Sequence, residues 1–306
     1  MKLEVKNLTK SFGEKEVLHG ISFDVEGGKA LGLLGRNGAG KTTTIRIIMD
    51  VFHANSGEIF LDGKKFNPKE HLIGYLPEER GLYPKKKVSE QLVYLGRLRG
   101  LSKAEAKKNT DKWLKRLQVS QYTDVKLETL SKGNQQKVQL ASTLVCEPEI
   151  VILDEPFSGL DPVNSKILQD VVTELIEEGR IVIFSSHQMS YVEEFCEDIA
   201  ILNGGTIVLN GAINDIKRSY RRDMIAIDSL DYKNILKLIF EKFSNEIISA
   251  EADNEIDNRV KVKLKEPSSK QSLYNLISSS GIDIDGMGII QPTLNDIFVE
   301  YTEDKI

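Results

Sequence analysis

The sequence has few of the residues that build disulfides, metal clusters or membrane-spanning helices. It contains 2 cysteines in 306 residues, Cys146 and Cys196, and they form neither a CxxC pair nor a metal-ligand spacing. Both are therefore expected to be reduced thiols in the core. No apolar run approaches the ~20 residues of a membrane helix, and the alternating residues 1–6 exclude a signal peptide. These absences favour a cytoplasmic protein.

The chain also lacks an excess of positive charge. It has 41 basic and 46 acidic residues, a net charge of −5. From residue 221 onward 11 basic residues stand against 16 acidic ones, so the part before residue 221 is balanced. Neither part shows the basic excess of a nucleic-acid-binding protein. The length suits one large domain or two domains, and 40% apolar residues is ordinary for a soluble protein.

The most informative motif is a glycine-rich segment between an apolar strand pattern and a helical one. It fits the phosphate-loop pattern, in which Gly and four further residues precede Gly-Lys-Ser/Thr. The backbone N–H groups of such a loop surround phosphate oxygens at a helix N-terminus, which predicts a nucleoside triphosphate site. The nucleotide-binding residues predicted here are Gly35, Arg36, Asn37, Gly38, Ala39, Gly40, Lys41, Thr42 and Thr43. Lys41 is expected to reach the β- and γ-phosphates, and the Thr42 hydroxyl to hold Mg²⁺.

Three weaker signals follow along the chain. Residues 150–156 form an apolar strand pattern that ends in Asp154 and Glu155, where ligands bind in open α/β sheets. Another buried strand pattern leads to His187, and a Ser-x-Gly turn at residues 131–133 opens a helix that offers a second possible anion site. Phe12, between the first two strands, is either a packing aromatic or a platform for an adenine ring.

Two domains are expected, residues 1–220 and 221–306, with a helical subdomain at about 84–147. Beyond a basic cluster at 217–222, the pattern is strand, helix, strand, strand, helix, strand and a closing helix. This order is that of a ferredoxin-like α+β domain.

Taken together and in this order, the motifs resemble the nucleotide-binding domain of ATP-binding cassette (ABC) proteins, over residues 3–216. The Leu-Ser-x-Gly stretch at 130–133 matters most, because other phosphate-loop ATPases lack it. The resemblance implies an α/β phosphate-loop NTPase fold, with a mixed sheet and a helical subdomain, that hydrolyses ATP. Residues 74–83 and 291–298 are similar to sodium- and drug-efflux ATPases, which carry a C-terminal accessory domain.

The resemblance also implies roles for single residues. Phe12 is expected to stack on adenine, Asp154 to hold Mg²⁺ through water, Glu155 to act as general base and His187 to contact the γ-phosphate. The signature residues are expected to contact the ATP that is bound by an opposing subunit. The D-loop residue is expected to contact that subunit itself. These residues are Ser131, Lys132, Gly133, Asn134 and, in the D-loop, Asp161. Two head-to-tail chains would then enclose two ATP molecules.

Two motifs, the signature and the loop at Glu78, depart from the family pattern. The signature reads Leu-Ser-Lys-Gly-Asn rather than Leu-Ser-Gly-Gly-Gln, but it keeps Ser131 and Gly133. Glu78 stands where the family has glutamine. A carboxylate can bind Mg²⁺ but cannot donate a hydrogen bond. We therefore expect the ATPase activity to depend more strongly on Mg²⁺ through this loop.

The implied function is that of the ATPase subunit of an exporter. Its expected partners are separate transmembrane permease subunits and a second ATPase subunit, the same or a paired one, with no nucleic acid. The protein is expected at the inner face of the cell membrane, which it would contact only through the permease. One alternative is a soluble ABC ATPase of DNA repair or translation, although the chain has neither a long coiled-coil insertion nor a second cassette. Another is an ATPase gated by a ligand-sensing C-terminal domain.

Overall fold

The computed structural model describes residues 1–79, 81–186, 188–220, 222–254 and 256–302. These residues form two compact units, one of Met1–Ile213 and one of Asn214–Asp296. The described residues from Ile297 onward belong to the first unit. The units therefore differ from the expected division after residue 220, because the end of the last helix packs with the first unit and buries Ile297 there.

Strands of the first unit form two sheets. In chain order they are β1 (Lys2–Phe12), β2 (Lys15–Glu26), β3 (Ala30–Gly35), β4 (Ser56–Leu61), β5 (Lys64–Lys65), β6 (Ile73–Leu76), β7 (Ile150–Asp154), β8 (Ile181–Ser185), β9 (Asp198–Asn203) and β10 (Thr206–Ala212). One sheet is antiparallel, in the order β2-β1-β4-β5. The other has the order β10-β9-β3-β8-β7-β6, with β10 antiparallel to β9 and every other pair parallel. The predicted mixed sheet is confirmed.

The central strands of the mixed sheet are apolar along their whole length. Every residue of β7 and β8 is buried, as expected for parallel strands covered on both faces. Because β3, β8 and β7 are neighbours and parallel, their carboxyl ends lie along one edge. That edge carries the phosphate loop after β3 and Asp154 at the end of β7.

Several helices of the first unit begin at a capping side chain. The helices of this unit are α1 (Lys41–Ile48), α2 (Val88–Leu98), α3 (Lys103–Arg116), α4 (Lys132–Leu144), α5 (Pro162–Glu177) and α6 (Met189–Phe195), and α7 (Ile213–Ser219) leads into the second unit. A capping box of Ser102 and Glu105 opens α3. Asp161 caps α5, whose first residue is a proline. The helices α2 to α4 occupy the region predicted to be helical. Within the described ranges, no helix combines the length and apolar character needed to cross a membrane.

The second unit is an α+β fold. Its elements are β11 (Met224–Asp228), α8 (Tyr232–Lys242), β12 (Ile247–Ala252), β13 (Arg259–Leu264), α9 (Lys270–Ser279) and β14 (Gly286–Ile289), followed by α10 (Leu294–Thr302). The sheet order is β12-β13-β11-β14 with every pair antiparallel. Apolar residues of α8 and α9 pack with the apolar residues of this sheet. The order and direction of the strands match the predicted ferredoxin-like arrangement.

The buried centre of the mixed sheet should dominate the stability of the first unit. Val182 in β8 is fully buried, whereas Val163 in α5 is 72% exposed. We expect Val182→Ala to lower the free energy of unfolding by about 2 kcal/mol, because two buried methyl groups are lost and a cavity is left. Val163→Ala, the matched control, should change it by less than ~0.5 kcal/mol. Urea unfolding followed by the fluorescence of the single, buried Trp113 measures both; equal effects would contradict the assignment of β8 to the core.

Candidate nucleotide site

The glycine-rich segment forms a tight loop between the end of β3 and the start of α1. Gly35 and Gly40 both have positive φ angles, 156° and 114°. A Cβ atom on Gly35 would lie 2.5 Å from the carbonyl oxygen of Leu202, and one on Gly40 would lie 2.6 Å from the side chain of Leu18. Strands β9 and β2 thus approach the loop so closely that only glycine fits at both positions.

Lys41 lies on the inner side of this loop. Its Nζ donates hydrogen bonds to the carbonyl oxygens of Gly35, at 2.6 Å, and Arg36, at 3.4 Å. Burial lowers the pKa of Lys41, while the nearby carboxylates of Asp154, Glu155 and Glu78 act in the opposite direction. The loop therefore holds a cation close to three acidic side chains.

One cavity of about 780 Å³ brings most of the predicted residues together. Its size is within the usual range for ligand sites. Phosphate-loop residues line it together with three acidic side chains and a group of residues from elsewhere. The lining residues are Gly35, Arg36, Asn37, Gly38, Gly40, Lys41, Thr42 and Thr43; Glu78, Asp154 and Glu155; and Lys15, Glu16, Val17, His19, Gly204, Gly205 and Phe298. Ala39, the remaining loop residue, is buried.

The two acids after β7 are held by different partners. Asp154 is buried and accepts a hydrogen bond from the Tyr75 hydroxyl at 3.4 Å. Burial, together with the Asp154 carboxylate, raises the pKa of Tyr75 to about 12, so this hydroxyl stays a donor at neutral pH. Glu155 has a left-handed φ of 49°. Its N–H donates to the carbonyl oxygen of Ser185 at 2.9 Å, and the Ser186 hydroxyl donates to its Oε2 at 3.2 Å. Strand β8 thus fixes the direction of the Glu155 carboxylate.

Gln139 supports the loop at Glu78, a contact that the sequence did not reveal. Its side-chain amide, on α4, donates to the carbonyl oxygens of Pro77, at 3.3 Å, and Glu79, at 3.2 Å, which flank Glu78. Gln136, on the same helix, donates to the carbonyl oxygen of Pro156 at 3.2 Å. Both glutamines are buried. The sequence signal that could have identified both glutamines is a polar residue at a buried position of an apolar helical pattern.

The signature residues do not line the cavity of their own chain. Ser131 caps α4 and accepts a hydrogen bond from the N–H of Asn134 at 3.4 Å. Lys132 follows it as the exposed first residue of the helix. Gly133 packs against Asn164, since a Cβ atom there would lie 2.8 Å from Asn164 Nδ2.

Asn164 also connects the signature with the D-loop residue. Its N–H and its side-chain amide donate to the carboxylate of Asp161, and these bonds hold the pKa of Asp161 below its usual range. The signature and D-loop residues therefore form one surface outside the phosphate-loop cavity.

The two remaining predicted contacts to the nucleotide are Phe12 and His187. Phe12 ends β1, is 44% exposed and packs edge-on against Phe52 with 5.2 Å between ring centroids. It is not among the residues that line the cavity. His187 lies outside the described residues. Their proposed roles stay predictions.

Comparison with known proteins gives two family matches that cover different parts of the chain. The family described as "ABC transporter" matches residues 18–158. The family described as "ATP-binding protein DrrA1-3-like, C-terminal domain" matches residues 211–302. The second match covers the whole of the second unit and α10.

Relatives and solved structures extend the likeness. The uncharacterised ABC transporter ATP-binding protein YhaQ of Bacillus subtilis is 42% identical over 299 residues, which cover 97% of each chain. The linearmycin resistance ATP-binding protein LnrL of the same organism is 35% identical and covers 70% of each chain. The solved dimeric structure of the bacterial ABC transporter cassette MJ0796 is 25% identical with a TM-score of 0.62, and covers 69% of this chain and 98% of that one.

These matches agree with the phosphate loop, the acids after β7 and the serine-capped start of α4. The chain belongs to the family of ATP-binding proteins of ABC transporters, the subunits that bind and hydrolyse ATP.

Proposed function

We propose that this ATPase works as a head-to-tail dimer in an exporter, coupled to separate permease chains. The observation that carries the proposal is a division of the site. The phosphate loop, Asp154 and Glu155 line one cavity, whereas Ser131 and the start of α4 lie outside it. A second chain that places its Ser131 over this cavity would complete the enclosure of the γ-phosphate.

In this proposal the residues of the cavity divide the work of hydrolysis. The loop N–H groups and Lys41 bind the phosphates and compensate the charge of the transferring group. Glu155, directed by Ser186, orients the attacking water and accepts its proton. His187 is proposed to contact the γ-phosphate.

A magnesium ion fits the residues that line the cavity. Thr42 offers a hydroxyl, and Asp154 and Glu78 offer carboxylates, in the same cavity. These are the hard oxygen donors that Mg²⁺ prefers, and a small donor set suits an ion that keeps several waters. When bound, the ion would supply positive charge that compensates the charge of the phosphates.

Closure of the dimer would follow from contacts that form with ATP but not after the γ-phosphate has left. Ser131 and the N–H groups at the start of α4 would form charge-assisted hydrogen bonds with the γ-phosphate of the opposing site. These bonds disappear once the phosphate leaves. ATP would therefore favour the closed dimer, and hydrolysis would favour the open one.

Export and the permease are supported by relatives and by the connections of α4. LnrL is named for resistance to linearmycin, which is consistent with efflux. We assign the permease contact to the helical region at about 84–147 and to the Glu78 loop. Gln139 joins these two parts, because its amide bridges the carbonyl oxygens on both sides of Glu78.

The first test removes the proposed general base. Glu155→Gln should lower turnover by about 10²-fold or more, as expected for a general base, and leave ATP binding intact. At saturating ATP and magnesium the variant should accumulate as a dimer, measured by light scattering after size-exclusion chromatography. Glu177→Gln, at an exposed position of α5, is the matched control and should behave as the unmodified protein. A Glu155→Gln variant that stays monomeric would overturn the proposed dimer.

The second test addresses the signature serine. Ser131→Ala, added to Glu155→Gln, should weaken the ATP-dependent dimer at least about tenfold, because a charge-assisted hydrogen bond of roughly 1.5–3 kcal/mol is lost. The affinity of the monomer for ATP should not change, since Ser131 lies outside its own cavity. Sedimentation velocity and ATP titration separate the two quantities. A loss of ATP affinity in the monomer would contradict the assignment of Ser131 to the opposing site.

The third test concerns the acidic residue at position 78. Glu78→Gln should raise the Mg²⁺ concentration for half-maximal ATPase activity several-fold, because one negatively charged ligand is removed. Glu79→Gln changes the neighbouring carboxylate, which does not line the cavity, and serves as the control. Identical Mg²⁺ titrations of the Glu78→Gln variant and the unmodified protein would show that Glu78 is not a ligand.

A further inference from the structure

Phe298 contributes an aromatic ring to the phosphate-loop cavity. It lies on α10, near the end of the chain, and is half-buried. Among the described residues that line the cavity, its phenyl ring is the one purely hydrocarbon aromatic group. The sequence placed this residue in the accessory domain, so its presence here was not anticipated.

Helix α10 is fixed on both sides of Phe298. Ile297 is completely buried, and so is nearly all of Thr302, which follows one turn later. The Thr302 hydroxyl donates to the carbonyl oxygen of Phe298 at 2.7 Å, and Asn203 Nδ2 donates to the carbonyl oxygen of Tyr301 at 3.1 Å. The position of the Phe298 ring is therefore set by packing and by hydrogen bonds.

The anchor of α10 is itself connected to the phosphate loop. Asn203 opens the turn between β9 and β10, and Gly205 follows in that turn. The Gly205 N–H donates to the carbonyl oxygen of Ala39 in the loop at 3.1 Å, and the His19 N–H donates to the Gly205 carbonyl at 2.9 Å. A Cβ atom on Gly205 would lie 2.4 Å from the carbonyl oxygen of Val17, so the turn lies directly on β2.

The chemistry of the lining residues indicates which part of a nucleotide Phe298 faces. Glu155, Asp154 and Glu78 mark the end at which the γ-phosphate reacts. The lining residues that belong to neither the loop nor this acidic group come from β2, from the turn after β9 and from α10. They are available to the nucleoside end of a triphosphate bound on the loop. Phe12, the residue predicted for this role, is not among the lining residues and packs edge-on against Phe52.

We infer that Phe298 contacts the base or ribose of bound ATP, so that α10 completes the nucleoside end of the site. The inference rests on the proposed binding of the triphosphate at the phosphate loop. Stacking on an aromatic side chain is sequence-tolerant and strong enough to change affinity by about tenfold or more when the ring is removed.

Binding of two ligands to the full chain tests the inference. Calorimetric titration with ATP reports contacts to the whole nucleotide, whereas titration with inorganic tripolyphosphate reports the loop alone. Phe298→Ala should weaken ATP binding about tenfold and change tripolyphosphate binding less than twofold. Phe298→Tyr keeps the ring and should restore ATP affinity, which separates loss of stacking from damage to the fold. Phe240→Ala makes the same change at a 54% exposed position of α8 and should alter neither.

Four outcomes would overturn the inference. Phe298→Ala could bind ATP with unchanged or higher affinity. A higher affinity would show that the ring obstructs the nucleotide site. It could weaken both ligands equally, which would show a disturbed loop. Phe298→Tyr could fail to restore ATP affinity. Phe12→Ala could weaken ATP while Phe298→Ala does not, which would return the role to Phe12. Failure of the unmodified chain to bind either ligand would instead refute the proposed site itself.

Discussion

The pairing of three parallel strands decides where the chemistry of this protein is placed. Strand β8 lies between β3 and β7, with Gly32 opposite Phe184 and Asp154 opposite Ser185. This register brings the first residue after β7, Glu155, to the end of β8, where Ser185 and Ser186 bind it. A shift by one residue would turn every side chain of a strand to the other face. Both faces of β7 and β8 are buried, so such a shift would replace the packing neighbours of every side chain, and core packing and site geometry have the same origin.

A second constraint comes from helix α4. Its first turn carries the signature residues, and its buried glutamines bind the backbone beside Glu78 and after Glu155. Buried amides that lose their partners are costly, so these bonds keep the helix and the two loops in one arrangement. In the proposed dimer, the helix that senses the γ-phosphate of one site therefore also supports the reacting groups of the other.

The fold was predictable from the sequence because its signals are local. Apolar strands, the glycine loop, helix caps and the strand order of the second unit all follow from patterns within short segments. Gln139 and Phe298 were not predictable in this way. Each acts through contacts with residues far away in the sequence, and neither belongs to a motif. Phe12 does belong to a motif, and its contact with the nucleotide stays a prediction, since in the structure its exposed ring packs edge-on against Phe52.

The charges of the cavity explain why its loop is built from backbone donors. Four carboxylates line it, those of Glu16, Glu78, Asp154 and Glu155, and the pKa of Lys41 is lowered by burial although the last three oppose that effect. A triphosphate adds further negative charge, which the basic side chains of Lys15, Arg36 and Lys41 do not balance. Backbone N–H groups and the start of α1 attract anions without introducing a mobile charge. Glu78 adds a further carboxylate to the cavity, and in the proposed site a bound cation would compensate its charge.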